Sequence, residues 1–153
     1  MKKARYVFLS MVLYIISGCS LRTEGDLEGV EREFHKIVIN IGDSVADSGF
    51  NYDSKKNIIK MTVKLEDEIG KNLTLSVNKN SIYYEAFKNN RDKLVNLFKE
   101  DLKLLYCSLD SEYGFKDATT VFTLLNGENE PILVIKNGIV TLDLISLNPE
   151  LSI

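Results

Sequence analysis

The chain has few of the residues on which most catalytic and metal-binding sites depend. Its 153 residues include one histidine, two cysteines, two prolines and no tryptophan. Two cysteines exclude a framework of several disulfides, so a hydrophobic core must hold the fold together. One histidine excludes a site built from several converging imidazoles. The sequence therefore predicts no catalytic, cofactor-binding or metal-binding residue.

Long hydrophobic runs are also absent, with one short exception. Residues 6–16 are apolar apart from Ser10, and Lys2, Lys3 and Arg5 give this segment a positive start. The run is too short to span a membrane, which takes ~20 apolar residues. A basic start followed by a short apolar stretch is typical of an export signal. We expect residues 1–18 to be a signal peptide.

The residues that close this segment, Ile16-Ser17-Gly18-Cys19, resemble the lipobox of bacterial lipoproteins. The resemblance implies cleavage before Cys19 and a diacylglycerol group on its sulfur, which would attach the protein to a membrane. Ser20, the residue after this cysteine, resembles the sorting signal of outer-membrane lipoproteins. The resemblance therefore implies an outer-membrane protein that faces the periplasm, with display at the cell surface as the alternative. Two alternatives fit the same residues. Cys19 is a chance cysteine beside an ordinary signal peptide, or the segment is an anchor that is not cleaved.

The charge balance limits the classes of partner that the protein can bind. The chain carries 19 basic and 22 acidic residues, a net charge of −3. The signal segment holds three of the basic residues and none of the acidic ones, so its removal makes the protein more acidic. Binding to nucleic acid would need clustered lysine and arginine. We expect a membrane contact through Cys19 and a protein partner, and no nucleic acid.

Composition divides the exported chain into a tether and one domain. Residues 19–32 are polar, acidic and contain two glycines, which predicts a lipidated N-terminus and a flexible tether. Residues 33–147 have enough apolar residues for a single α+β domain, and residues 148–153 are polar enough to fray.

The domain is predicted as strands, a long helix and further strands. Alternating apolar residues predict strands at 34–41, from Phe50 to Tyr52, at 59–66 and at 73–77, with a loop at 42–49 and a turn at 66–70. A helical period predicts a helix of about 22 residues that begins near Ile82. Strands at 119–125, 132–135 and 139–145 follow, and Asn137-Gly138 predicts a tight hairpin. The result is a mostly antiparallel sheet or half-open barrel of about six strands, with one long helix inserted between strand groups.

One motif has the appearance of a catalytic site. Gly42-Asp43-Ser44 follows a β-branched segment and resembles the first block of GDSL-type esterases, which implies that Ser44 is a nucleophile. A serine needs an adjacent base. The histidine of that family lies near the C-terminus, whereas the single histidine here, His35, precedes Ser44. We interpret the segment as a polar loop, with an esterase as a remote alternative.

Three aromatic residues are candidate partner-binding residues. Tyr83, Tyr84 and Phe87 stand together at the predicted start of the long helix, where they form either an aromatic anchor for a partner or part of the core. Cys107, near the end of that helix, is interpreted as a small apolar residue, or as half of an intermolecular disulfide. The run Glu66-Asp67-Glu68 is interpreted as a solvated turn.

The leading functional hypothesis is a membrane-anchored, non-enzymatic binding or assembly factor. The order of strands, long helix and final hairpin is similar to that of pilotin lipoproteins, which escort secretin subunits of envelope secretion systems. The alternatives are a toxin-immunity protein, an inhibitor or a surface-exposed host-binding lipoprotein.

Overall fold

The computed structural model describes residues 25–75, 80–82 and 84–145. The predicted signal peptide 1–18, Cys19 and the C-terminal residues 148–153 lie outside this part of the chain. The elements in chain order are helix α1 (Leu27–Ile41), a 3₁₀ turn (Gly42–Ser44), strands β1 (Val45–Asp53) and β2 (Ile58–Leu65), helices α2 (Asp67–Thr74) and α3 (Tyr84–Ser111), and strands β3 (Thr119–Leu125), β4 (Pro131–Lys136) and β5 (Ile139–Asp143).

The strands form one open sheet in the order β1-β2-β3-β4-β5. Neighbouring strands are antiparallel except β2 and β3, which are parallel. A parallel pair needs a long crossover connection, which α2 and α3 provide. The prediction of an α+β fold with a mostly antiparallel sheet is confirmed. The described residues contain five strands rather than about six, and three α-helices rather than one.

The core lies between one face of the sheet and the helices. Residues in β2 alternate between buried and more exposed positions, so one face points inward. Met61 of β2 pairs with Phe122 of β3, which pairs with Ile135 of β4, and all three are buried. Phe98 of α3 covers this row, with its ring centroid 5.1 Å from that of Phe122.

The prediction of a first strand at residues 34–41 is wrong, because this segment is the second half of α1. The apolar residues of this segment fit both the period of a strand and the period of a helix. Val30, Phe34 and Ile37 are spaced by four and three residues and are all buried, as one face of a helix requires. Ile39, which a strand would have turned inward with Ile37, is 73% exposed.

The start of α1 is capped by a side chain. Asp26 Oδ1 accepts a hydrogen bond of 2.8 Å from the backbone N–H of Gly29, which satisfies one of the free donors at a helix N-terminus. Residues 27–32, which we assigned to the tether, are therefore the first turns of α1. Residues 19–24 lie outside the described part of the chain.

The predicted loop at 42–49 is shorter than expected. Gly42, with φ at +71°, ends α1, and this positive φ favours glycine. After the 3₁₀ turn, β1 begins at Val45 and pairs with β2 from Leu65 onward. The register shifts between Val45 and Asp47, which marks an irregularity at the start of this edge strand.

The predicted turn at 66–70 and the beginning of the predicted strand at 73–77 are also wrong, because they form α2. Ile69 and Leu73 are four residues apart and pack together against the core, which is a helical spacing. The last two residues of the predicted strand, 76 and 77, lie outside the described part of the chain.

The C-terminal half follows the prediction closely. Strand β3 has the predicted bounds, β4 is one residue longer at each end, and β5 is two residues shorter at its C-terminal end. Asn137 and Gly138 have φ of +52° and +72°, as a type I′ hairpin turn requires. The earlier Asn126-Gly127 pair forms no such two-residue turn. Asn126 instead organises a longer loop, and its Oδ1 accepts hydrogen bonds from the N–H groups of Glu128 and Glu130.

Helix α3 is longer than predicted, with 28 residues. It is continuous through Asn89 and Asn90. Among the described residues, none of the helices combines the length and the apolar character that crossing a membrane would take.

Candidate functional site

A groove with a volume of about 440 Å³ runs between α1 and α3. Each helix contributes four residues with the same spacing of three, one and three positions, which places them on one face. The lining consists of Glu33, Lys36, Ile37 and Asn40 from α1, Asp101, Leu104, Leu105 and Ser108 from α3, and Glu112 and Tyr113 just after α3.

Contacts at one end fix the two walls of the groove. The backbone N–H of Asp26 donates a hydrogen bond of 2.8 Å to the carbonyl of Tyr113. A Cβ atom on Gly25 would lie 2.6 Å from the ring of Phe115 and 2.7 Å from the same carbonyl. Only glycine permits this approach. The start of α1 is thus held against the chain that follows α3.

The polar lining of the groove is predominantly acidic. Glu33, Asp101 and Glu112 contribute carboxylates, and Lys36 contributes the only ammonium group of the lining. Lys36 Nζ lies 2.6 Å from Glu33 Oε1. Among the described residues, neither Asp101 nor Glu112 has a cationic partner within 4 Å. The groove therefore has an excess of negative charge.

Burial and the charges of the groove both change the pKa of Tyr113. Burial raises the pKa of its hydroxyl above the ordinary value of 10.0, and the carboxylates of Glu33 and Glu112 raise it further. Lys36 acts in the opposite direction, and Asp26 adds a smaller upward contribution. Negative neighbours disfavour a phenolate because they would repel its charge.

The groove also has an apolar component. Ile37 and Leu105 form a buried floor, where they join the hydrophobic core. Leu104 lies beside them but is 69% exposed. Leu104 therefore places an apolar contact surface next to the carboxylates of the lining.

The structure does not bring the esterase candidates together. Ser44 ends the 3₁₀ turn, and its backbone carbonyl accepts a hydrogen bond of 3.0 Å from the N–H of Glu66. His35 is exposed on α1, with Nε2 3.7 Å from Glu31 Oε1. In the described part of the chain, no hydrogen bond joins Ser44 to His35.

Of the three aromatic candidates, the described part of the chain includes the side chain of Tyr84 alone. Tyr84 is the first residue of α3, is half-buried and does not line the groove. Tyr83 and the side chain of Phe87 are outside the described part, so their role as partner-binding residues stays a prediction.

The remaining candidates are on the surface. The thiol of Cys107 is free and exposed, so this residue is not part of the core, and an intermolecular disulfide stays a prediction. Glu66-Asp67-Glu68 begins α2 rather than a turn, where acidic residues interact favourably with the helix dipole. No group of three residues suited to holding a metal ion occurs among the described positions.

The groove does not follow from the predicted elements, because the strand predicted at residues 34–41 falls on half of one wall. A signal existed in the spacing of Glu33, Lys36, Ile37 and Asn40, which share one face only in a helix. The packing of α1 beside α3 depends on contacts between distant parts of the chain, and no local pattern reports it.

Comparison with known proteins identifies no relative. No protein-family model matches the chain, no curated protein matches its sequence, and no solved structure matches its fold.

Proposed function

We propose that this protein is a non-enzymatic binding or assembly factor that is anchored to the outer membrane through a lipid on Cys19 and faces the periplasm. The observation that carries the binding role is the groove between α1 and α3, which offers charged, polar and apolar side chains on an open surface. The lipobox-like residues 16–19 support the anchor.

The short connection to the lipid supports a role at the membrane surface. The described fold begins at Gly25, so residues 19–24 separate the proposed anchor from the domain. Six residues span at most about 20 Å when fully extended. Because Gly25 packs against Phe115 and Tyr113, the chain enters the domain at one end of the groove. A partner in the groove would be held near the membrane.

A pilotin-like escort of an envelope component is one form of this proposal. The second candidate is a neutralising protein, such as an immunity protein or inhibitor, and the acidic lining of the groove favours it when the target is basic. The gene neighbourhood would separate the two, because a toxin gene predicts the second and a secretion operon predicts the first.

The anchor is tested on the protein purified from its host membranes. We expect the mature N-terminal peptide to begin at Cys19 and to carry the mass of diacylglycerol in a mass spectrum. The Cys19→Ser variant should leave the membrane fraction. An unmodified Cys19, or a wild-type protein in the soluble fraction, would contradict the anchor.

The binding role is tested by cross-linking in cells. A photo-crosslinking amino acid is introduced at Leu104 in the groove or at Ile139 on the β5 edge, which is exposed to a similar extent. We expect a discrete adduct from position 104 and none from position 139. Purified partner should then bind the wild type and bind the Leu104→Ala variant more weakly. Equal adducts from both positions would contradict a specific groove.

A further inference from the structure

We infer that the groove between α1 and α3 binds a cationic amphipathic helix of a partner protein. The inference rests on the proposed binding function and adds the chemistry of the partner. Three observations support it, namely the shape of the groove, the charge of the groove and the position of the exposed Leu104.

The shape fits a helix. Both walls are helices, and each presents residues spaced by three, one and three positions, which form a row along the helix surface. The lining extends from Asp101 to Glu112, and eleven residues of helix correspond to about 16 Å. A third helix of about three turns would lie along such a groove with its apolar side toward the floor.

The charge selects a basic partner. Asp101 and Glu112 lie at opposite ends of the α3 side of the lining, and Glu33 lies across from them on α1. The ammonium of Lys36 is engaged by Glu33, so it does not neutralise the other two carboxylates. Burial is the largest cause of the raised pKa of Tyr113, and the carboxylates of Glu33 and Glu112 raise it further, in agreement with a negative potential at this end of the groove. A cationic side chain would be attracted at both ends.

The apolar centre selects an amphipathic partner rather than a merely basic one. Leu104 stands between Asp101 and Ser108 on the same face of α3 and exposes most of its side chain. A partner helix with one apolar stripe would cover Leu104, while its lysines or arginines meet the carboxylates that flank it. A flexible basic segment would leave Leu104 in water.

Charge disfavours two other occupants. A second copy of this chain has a net negative charge and would be repelled by the acidic lining. An anionic lipid headgroup would be repelled for the same reason. Residues 1–18 are basic and apolar and have the favoured chemistry, so the test uses the mature protein that begins at Cys19.

The test measures peptide binding to the mature protein in phosphatidylcholine nanodiscs, with empty nanodiscs as the blank. One fluorescent 18-residue peptide places leucines on one helical face and lysines beside them. A second has the same composition in scrambled order, and a third replaces lysine by glutamate. Fluorescence anisotropy should show binding of the first peptide, at least about tenfold weaker binding of the scrambled one, and none of the acidic one.

Matched variants locate the binding site. The Asp101→Asn/Glu112→Gln double variant should bind the first peptide about fivefold more weakly at low salt, because the lining loses two attractive negative charges. Leu104→Ala should weaken binding by about tenfold. The controls are Glu100→Gln, an exposed acid of α3 outside the lining, and Ile139→Ala. Both should stay within about twofold of the wild type.

Two outcomes would overturn the inference. The first is equal binding of the ordered and scrambled peptides, and the second is equal losses in Leu104→Ala and Ile139→Ala. If the groove cross-links a partner in cells while the peptides show either outcome, the binding function survives and the cationic helix fails. If neither experiment detects binding at the groove, the binding function fails as well.

Discussion

Helix α3 has two faces that carry similar side chains and meet different surroundings. Leu102 is on the core side and is 2% exposed, whereas Leu104, two residues later, is 69% exposed beside the groove. Val95, Phe98 and Leu109 join Leu102 in the core, and Asp101 and Ser108 join Leu104 at the groove. Residue type alone therefore does not assign a leucine to folding or to binding. Its role depends on the face of the helix on which it lies and on the element that packs opposite that face.

The largest expected effect is the loss of the core side chain. Leu102→Ala should lower the free energy of unfolding by about 2–5 kcal/mol, because it removes buried methyl groups and leaves a cavity. The same substitution at Leu104 should change it by no more than about 0.5 kcal/mol, since that side chain is already mostly in water. Urea unfolding followed by circular dichroism measures both. Equal losses from the two variants would show that the groove is closed in the free protein.

A second effect is expected at Arg91, a buried basic residue on the core side of α3. Arg91 is buried, and its Nη2 donates hydrogen bonds of 2.9 and 2.7 Å to the carbonyls of Asn72 and Leu75 at the end of α2. Arg91→Met should lower the free energy of unfolding by about 2–3 kcal/mol, because hydrogen bonds from a charged donor are lost and the carbonyls must find water.

The control for Arg91 is Lys93→Met, an exposed basic residue of the same helix. It should change stability by less than about 0.5 kcal/mol. Hydrogen exchange should show faster exchange of the amides of α2 in Arg91→Met only. Unchanged protection of α2 would mean that Arg91 does not fix the end of this helix.

The two halves of the fold differ in how much their sequence reveals. In the C-terminal half, Asn137-Gly138 and the regular alternation of β3 predict the hairpin and the strand, because the local geometry admits few alternatives. In the N-terminal half, Ile37, Ile39 and Ile41 fit a strand while Val30, Phe34 and Ile37 fit a helix. The contacts of α1 with α3 and β1 decide between them, and these involve residues distant in sequence.

The groove follows from the same distant contacts. Its carboxylates are ordinary acidic residues in the sequence, and Leu104 lies directly beside Leu105, so residue type does not separate it from its buried neighbours. Only the position of α1 beside α3 distinguishes Glu33, Asp101 and Glu112 from the other acidic residues of the chain. The anchor and the composition predict a protein partner. The residues that would contact this partner are identified by the tertiary structure alone.

A smaller effect is expected at the start of the other groove wall. Asp26→Ala should destabilise the fold by about 1 kcal/mol, because α1 loses the acceptor for the N–H of Gly29. Asp26→Asn keeps an acceptor oxygen and should cost only a few tenths, since the ion pair with Arg32 is exposed, with 3.6 Å between Arg32 Nη2 and Asp26 Oδ2. Thermal unfolding separates the two variants. Equal losses would assign the effect to the ion pair rather than to the cap.

The smallest effect is a titration on the groove side. Because the pKa of Tyr113 is raised in the fold, the neutral phenol is the favoured form. Its contribution to stability is complete below the ordinary pKa of 10.0 and is lost as pH rises through the raised value. Glu112→Gln should lower this pKa, and Lys36→Met should raise it, because they remove charges of opposite sign. NMR of ¹³C-labelled tyrosine, assigned with Tyr113→Phe, reads the pKa directly. Shifts of the same sign in both variants would contradict the acidic groove, since its field on Tyr113 requires Glu112 and Lys36 to act in opposite directions.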